Sequence, residues 1–376
     1  MKKYPYLQIY DIADLPAPED GTNLIGHYAF LYVDFREAAE YAMSHRFVDC
    51  IFFGCEFLPG MNRMMRDCLV LPRMGMVFSV FHPDLYNAAT LYEGFNPTDE
   101  ASVGRSYDAR VYKDYQEAGD YPDDIRVTLA RSQHDHSMYD AMVGMLHRYD
   151  PHETYGIMGG HGLKRSDPMF AKIARISKTL TEKGYLMLSG GGPGAMEATH
   201  VGAWMAGRSE SEFQQALDLL VEAGEETTWD WLRSAFEVME RFPQRHFESL
   251  AIPTWFYGHE PATPFATHIA KFFMNSVRED MILASAEGGI IFAPGSAGTV
   301  QEIFQDASKL HYDKDGNVGQ MIFLDRDFYI DQVPVYPFLT DLSHRGRYRN
   351  LHLSVTDSVA EVISLVTGFS KRRDEV

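Results

Sequence analysis

From about residue 154 the chain alternates between short apolar runs and amphipathic stretches, and three of the apolar runs end in glycine-rich turns. Thr154–Met158 leads into Gly159-Gly160-His161-Gly162, Tyr185–Ser189 into Gly190-Gly191-Gly192-Pro193-Gly194, and Gly289–Ala293 into Pro294-Gly295-Ser296-Ala297-Gly298. Short apolar runs bounded by such turns predict buried strands. Between the first two, Pro168–Lys183 carries Phe170, Ile173, Ala174, Ile176, Ser177 and Leu180 at helical spacing and stops at Gly184. The alternation continues with helices expected over Ala195–Ala206, Ser209–Glu226, Trp229–Arg241, Thr263–Ala284, Thr299–Leu310 and Ser358–Thr367. Further strands are expected over Ala251–Tyr257, Gln320–Leu324 and Leu351–Val355. Strands alternating with helices specify α/β architecture: a Rossmann-like, doubly wound parallel sheet with helices on both faces.

The first 150 residues read differently, as an N-terminal α/β extension. Tyr28–Phe35, Arg36–His45 and Asp49–Phe53 suggest a strand–helix–strand unit, with no internal repeat. Gly94–Asp124, rich in Tyr, Asp, Pro and Gly, reads as an exposed linker or lid, and Ile125–Tyr149 as a helix. The expected division is therefore 1–150 and 151–376.

Composition narrows the functional classes. With 376 residues, 45% hydrophobic and 13% aromatic, the chain can bury a sizeable core. Thirty-four basic against 53 acidic residues give a formal charge of −19, which argues against a protein that holds nucleic acid through its phosphates. An anionic small ligand then needs a local site. Cys50, Cys55 and Cys68 form no CxxC pair and read as small buried residues in a reducing compartment. No run reaches the length of a membrane span and the start lacks an apolar signal core, so a cytoplasmic location is expected.

Three glycine turns after parallel strands place backbone N–H groups where ligands bind in such sheets. None fits GxGxxG in context or a P-loop, which disfavours a dinucleotide or ATP hydrolysis. Gln133-His134-Asp135-His136-Ser137 resembles a metal cluster on paper, but histidines two apart on a helix point away from each other. Neither a metal nor an organic cofactor is expected.

Taken together, Ser189-Gly190-Gly191-Gly192-Pro193-Gly194-Ala195-Met196-Glu197-Ala198, then Arg278, then Pro294-Gly295-Ser296-Ala297-Gly298-Thr299-Val300-Gln301-Glu302 resemble the LOG ("Lonely Guy") family, long labelled "lysine decarboxylase". Gly159-Gly160-His161 and Glu260-Pro261-Ala262-Thr263-Pro264 resemble its bacterial nucleotide 5′-monophosphate nucleosidase branch, and the resemblance spans roughly residues 154–330. It implies a Rossmann-like subunit, assembled as a homodimer or larger homo-oligomer. The implied activity is hydrolysis of the N-glycosidic bond of a nucleoside 5′-monophosphate, such as AMP or GMP, to free base and ribose 5-phosphate.

On that resemblance Arg278 and Glu302 are the catalytic pair. Gly295, Ser296, Gly298 and Thr299 form the phosphate cradle, and Gly160, Gly191, Gly192 and Gly194 its facing walls. A carboxylate near the ribose suits the chemistry, because bond cleavage builds oxocarbenium-like positive charge on the sugar. Four further residues stay open: His161 as a phosphate contact or a solvated loop residue, Met196 as base-packing or core, Glu197 as a ribose contact or a helix-dipole partner. Asn275 is the fourth, sharing with His268 the helix expected to carry Arg278. The chain departs from the family pattern at Ser296, where a second glycine is usual, at Glu279, where a basic residue is common, and in one extra residue, Ala293. Ser296 fits a cradle if its φ is negative. A non-catalytic nucleotide sensor, or transfer of the phosphoribosyl group to another acceptor, remain the competing readings.

Overall fold

The computed structural model describes residues 6–225, 227–258, 260–313 and 319–373, and its contacts divide the chain into two units. The first, Met1–Phe81 with Asp124–Ala130, contains strands β1 (Leu7–Ile9), β2 (Leu24–Gly26), β3 (Tyr28–Leu31), β4 (Arg46–Val48), β5 (Ile51–Phe53), β6 (Met65–Arg66) and β7 (Leu69–Leu71), with a short helix α1 (Ala39–Ser44). They form two parallel sheets, ordered β1-β3-β5-β7 and β2-β4-β6. Successive strands therefore alternate between sheets and the chain coils, as in a parallel β-helix. Leu24 faces Arg46 and Ala29 faces Ile51, a spacing of 22 residues; Ile51 faces Leu69, a spacing of 18. The corner between the two strands of each coil is a left-handed residue, His27, Asp49 or Asp67, with φ of 63°, 50° and 54°. His and Asp are among the non-glycine residues that most readily accept that conformation.

This repeat is absent from the sequence reading. The expected strand–helix–strand unit is present as β3, α1 and β5, but β4 intervenes and pairs with β2 in the other sheet. The unit is held by a column of phenylalanines: Phe30 faces Phe52 in register, the rings stack 5.0 Å apart, and both are fully buried. The thiols of Cys50, Cys55 and Cys68 donate to Ile25 O, Phe30 O and Phe47 O, each on a neighbouring coil. Burial pushes the Cys50 and Cys55 thiols up to about 11, which keeps them protonated.

The second unit, His82–Asp123 with Arg131–Val376, begins with α2 (Ala88–Leu91), α3 (Tyr107–Ala118) and α4 (Ile125–Leu146), whose residues up to Ala130 group with the first unit. Then follow β8 (Thr154–Met158), α5 (Pro168–Glu182), β9 (Leu186–Ser189), α6 (Ala195–Trp204), α7 (Glu210–Glu222), α8 (Thr228–Arg241), β10 (Ser249–Ala251) and β11 (His268–Ile269). The chain ends through α9 (Asn275–Ser285), β12 (Gly289–Phe292), α10 (Ala297–Tyr312), β13 (Gln320–Leu324), α11 (Val335–His344), β14 (His352–Thr356) and α12 (Val359–Arg373). All seven strands are parallel, in the order β11-β10-β9-β8-β12-β13-β14. This is a Rossmann-like sheet with helices on both faces. Every residue of β8, β9, β12 and β13 is buried, so these strands read as continuous apolar runs rather than alternating ones.

Four expectations differ from what is observed, the first being the strand expected over Ala251–Tyr257, which is instead β10 at Ser249–Ala251. The division at residue 150 contrasts with a boundary at Phe81, residues 82–123 and 131–150 grouping with the Rossmann-like sheet. Gly94–Asp124 is folded: α3 buries Val111 and Tyr115, and Asp108 accepts hydrogen bonds from Trp255 Nε1 at 2.8 Å and Lys271 Nζ at 2.6 Å. The helix expected over Thr263–Ala284 starts only at Asn275. Before it, Leu250 faces His268 in a parallel pair, and Phe272 N donates to Pro253 O at 3.0 Å. Ile269, Ala270 and Phe272 are fully buried, and a run apolar on all sides carries no period to tell strand from helix. Glu226, at the end of the expected acidic helical section, lies outside the described residues; the helix there closes at Glu222.

Candidate functional site

The sheet order reverses between β8 and β12: β9, β10 and β11 extend to one side of β8, and β12, β13 and β14 to the other. At such a switch point the loops leave in opposite directions and open a crevice at the carboxyl ends of the strands. Two of the three glycine turns meet there. Gly160 N donates to Pro294 O at 3.0 Å, and Gly160 Cα lies so close to the Pro294–Gly295 backbone that a β-carbon on Gly160 would stand 3.3 Å from Gly295 Cα. The third turn closes on them, with Ala195 N donating to Gly160 O at 3.2 Å. Gly194, at φ 71°, passes so near the Gly160 and His161 carbonyls that no side chain fits.

Neither helix start at this crevice has a side-chain cap: Gly194 precedes α6 and Ser296 precedes α10, and neither gives a capping bond. Around the turn that leads into α6 the N–H groups are taken internally: Gly191 N by Ser189 Oγ at 3.0 Å, Gly192 N by Met196 Sδ at 3.4 Å, and Ala195 N by Gly160 O. The first-turn N–H groups of a helix have no intrahelical acceptor, so an anion is their natural partner. Ser296 has φ −101°, an ordinary conformation for a non-glycine residue, so the serine is accommodated without strain. Thr299 is buried with its hydroxyl against Gly295, whereas a β-carbon on Gly298 would meet no protein atom within 4 Å.

One turn along α10, Glu302 comes within 4.0 Å of Arg278 Nη1 on α9. The guanidinium is fixed by Nε donating to Ile252 O at 3.1 Å, and Nη2 lies against Gly190, 2.6 Å from where a β-carbon would be. Burial pushes the Glu302 carboxyl up to about 7; Arg278 opposes this shift, while Glu279 and Glu260 add to it. Glu279 accepts from Asn275 Nδ2 at 2.7 Å and from Gln301 Nε2 at 3.0 Å, bridging α9 and α10. Glu260 Oε1 pairs with His161 Nδ1 at 3.2 Å, and Glu260 Oε2 lies 3.3 Å from the β-carbon position of Gly192. Arg278, Glu302, Asn275 and the three glycine turns thus share one crevice with His161.

Some open readings are decided by contacts. Glu197 is fully buried and accepts from Arg165 Nε at 3.0 Å, Arg165 Nη2 at 2.5 Å and Trp231 Nε1 at 2.9 Å, a structural ion pair inside the unit. Met196 is 8% exposed and its sulfur lies against Gly190 and Gly192, so it packs the wall of the crevice. His268 is on β11, not on the Arg278 helix, and sits 3.6 Å from Glu248. In the 133–137 cluster, His134 is buried against Tyr86 Oη at 2.9 Å while His136 is exposed. No group of three His, Cys, Asp or Glu able to hold a metal occurs among the described residues.

Residues that the sequence reading left out support the site from behind. Asp135 Oδ1 and Oδ2 accept from Phe273 N at 2.8 Å and Met274 N at 2.9 Å, anchoring the two residues that lead into α9. His200 joins Ser189 Oγ to Ser249 Oγ, both at 2.9 Å, and burial lowers its pKa to about 3, so the imidazole is neutral. Ser189 in turn holds Gly191, at φ 74°. Tyr92 Oη donates to Ala262 O, and the Tyr112 ring packs directly on Gly258, so the 82–123 region holds the segment that carries Glu260. Apart from the bonds of Ser189 to Gly191 and His200, these contacts span tens of residues and have no local signature. Among the described residues no helix is long and apolar enough to cross a membrane.

Comparison with family models gives no match, and comparison with curated proteins gives none. Solved structures similar to this chain include the structural-genomics target TM1055, at 17% identity and a TM-score of 0.37 over 57% of this chain and 98% of that one. Another is the molybdenum cofactor binding protein from the phototrophic bacterium Rippkaea orientalis, at 13% identity and a TM-score of 0.35, over 57% of this chain and 95% of that one. Neither likeness bears on the site.

Proposed function

We propose that the chain hydrolyses the N-glycosidic bond of nucleoside 5′-monophosphates, releasing free base and ribose 5-phosphate. The observation that carries this reading is the pairing of a helix start that lacks a side-chain cap with a buried carboxylate one turn along it, set against a fixed guanidinium. The α10 start, with Ser296, Gly298 and Thr299, takes the 5′-phosphate. Glu302 then faces the ribose, where its carboxylate stabilises the positive charge that grows as the C1′–N bond breaks and its electron pair leaves with the base. Water adds to C1′ and passes a proton to Glu302, which returns it to solvent while the departing base takes up a proton from solvent, so the carboxylate form is the active one. Arg278 keeps Glu302 oriented and offers Nη donors to the ligand. Gly160, Gly191, Gly192 and Gly194 shape the wall. The motif resemblance to the LOG family supports the same assignment, as it does assembly into a homodimer or larger homo-oligomer.

The protein is incubated with AMP, GMP, IMP, CMP and UMP, and free base and ribose 5-phosphate are measured. Release that exceeds a Glu302→Gln variant by about a hundredfold or more, the usual weight of one acid–base group, supports the reading. Nucleotide binding without release above that variant overturns it in favour of a non-catalytic sensor. One observation favours that second reading: Glu279 places a carboxylate beside Arg278, where a basic residue would strengthen anion binding.

A further inference from the structure

Two buried polar side-chain atoms near these turns have no partner among the described residues: the hydroxyl of Thr263, whose backbone N donates to Gly191 O, and the side-chain carbonyl oxygen of Asn275; a hydroxyl can rotate to suit a partner, whereas the amide is fixed. Buried acceptors left without a donor are rare, because each forfeits its hydration. The orientation of this amide is dictated by its surroundings. Its Nδ2 donates to Glu279 Oε1 at 2.7 Å and faces Tyr257 Oη at 3.4 Å. The reverse orientation would set the carbonyl oxygen against the Glu279 carboxylate, acceptor against acceptor. Glu279 is itself fixed from its other oxygen by Gln301 on α10, one residue before Glu302. Asn275 opens α9, and Arg278, which faces Glu302, follows it by three residues on the same helical face.

The structure assigns Asn275 Oδ1 as a specificity-determining acceptor for a hydrogen-bond donor of the bound nucleotide, with Glu279 as the residue that positions it. The assignment rests on the nucleotide reading of the crevice, but not on catalysis. A nucleoside monophosphate such as AMP offers two kinds of donor, the 2′-hydroxyl beside the glycosidic bond and an amino group on the outer edge of the base, and either matches a lone carbonyl oxygen. It also gives the acidic residue at 279 a purpose: a lysine or arginine there would compete for the carbonyl and turn the amide over.

The test is a binding cycle that pairs a side-chain deletion with a ligand deletion. Affinities of AMP, 2′-deoxy-AMP and IMP are measured for the wild type, Asn275→Ala, Glu279→Ala and Glu279→Gln, with base release followed separately. Asn275→Ala is expected to weaken AMP about tenfold, the cost of leaving a donor unpaired. If that loss disappears with 2′-deoxy-AMP, the donor is the ribose hydroxyl; if it disappears with IMP, the donor is the amino group; either result supports the assignment. Glu279→Ala should lose the same discrimination and Glu279→Gln, which still offers a carbonyl to Nδ2, should retain it. The three ligands carry the same phosphate, so the charge removed at 279 cancels in the comparison. An equal loss with all three ligands, or none with any, overturns the assignment. Binding with the expected cycle but no base release leaves it standing and removes the hydrolase reading alone, whereas failure of all three nucleotides to bind removes both.

Discussion

At the scale of single residues, the glycines of the crevice separate into two kinds. Gly159 and Gly194 are required by the protein itself, since a side chain on either would run into backbone or packed atoms. Gly298 has no such neighbour. Gly298→Ala is therefore expected to fold as the wild type does, and to gain up to about 1 kcal/mol from helix propensity. Its nucleotide affinity should fall by about tenfold or more as the methyl group enters the ligand's space, equivalent to at least ~1.4 kcal/mol. Thermal unfolding and nucleotide titration check the two halves independently. Glu302 gives a second prediction. Its carboxyl titrates near 7 because burial disfavours the charge, and the proposed chemistry needs the carboxylate. Base release should rise with pH through about 7 and level off above it, and the limb should vanish from whatever activity Glu302→Gln retains. The roles proposed for both residues follow from the glycine spacing and the motif resemblance; the elevated titration of Glu302 does not, because it depends on what covers α10.

Among the elements, α10 and α9 decide the geometry of the crevice. Besides Glu302, α10 buries Asp306, whose carboxyl is also pushed up to about 7 by burial, against the pull of Lys309. A raised folded pKa means that the native state binds more protons than the unfolded chain between about 4 and 7. The stability Asp306 contributes is present at the acid end of that window and is lost as pH rises through it. Asp306→Asn, neutral throughout, should gain on the wild type as pH increases from about 4 and hold a constant advantage above about 7, read from denaturant unfolding at several pH values. For α9 the controlling contact is tertiary. Asp135→Ala leaves Phe273 N and Met274 N without their acceptors and should cost about 1–3 kcal/mol. The same change should reduce base release by disturbing the helix that carries Arg278. The 133–137 stretch resembles a metal cluster on paper, and its aspartate anchors the two residues that lead into α9, a role that no spacing rule could give.

For the molecule as a whole, the two units are built on different uses of the parallel strand. In the Rossmann-like unit every strand but β10, which β11 follows directly, is separated from the next by helices that cover the sheet. In the N-terminal unit the strands follow each other round a coil, and the core is a column in register, Phe30, Phe52 and Val70. The column ends at Val70, which is 45% exposed while the two phenylalanines are at 0%. Phe52→Ala should therefore cost about 3–5 kcal/mol. Val70→Ala, at the same register one coil later, should cost well under about 1 kcal/mol, because most of its surface already faces water. Denaturant unfolding of the two variants tests whether the coil or a strand–helix–strand core is the right description.

The sequence by itself determined the Rossmann-like sheet, the order of most of its elements, and the set of loops that gather at one crevice. It could do so because buried parallel strands are short unbroken apolar runs, and because a backbone that approaches a ligand or another backbone closely demands glycine at fixed places. Tertiary structure alone decided three things. Residues 268–269 form a strand, because a run apolar on every side has no period and takes its conformation from the β10 edge it meets. Residues 24–71 form coils, because their repeat lies in which positions face inward, at spacings of 22 and then 18, rather than in repeated letters. Glu197 belongs to the interior because folding brings Arg165 and Trp231, 32 and 34 residues away, within about 3 Å of its carboxylate, whereas Asn275 is turned by Glu279 on its own helix and its Oδ1 stays unpaired because no donor among the described residues reaches it.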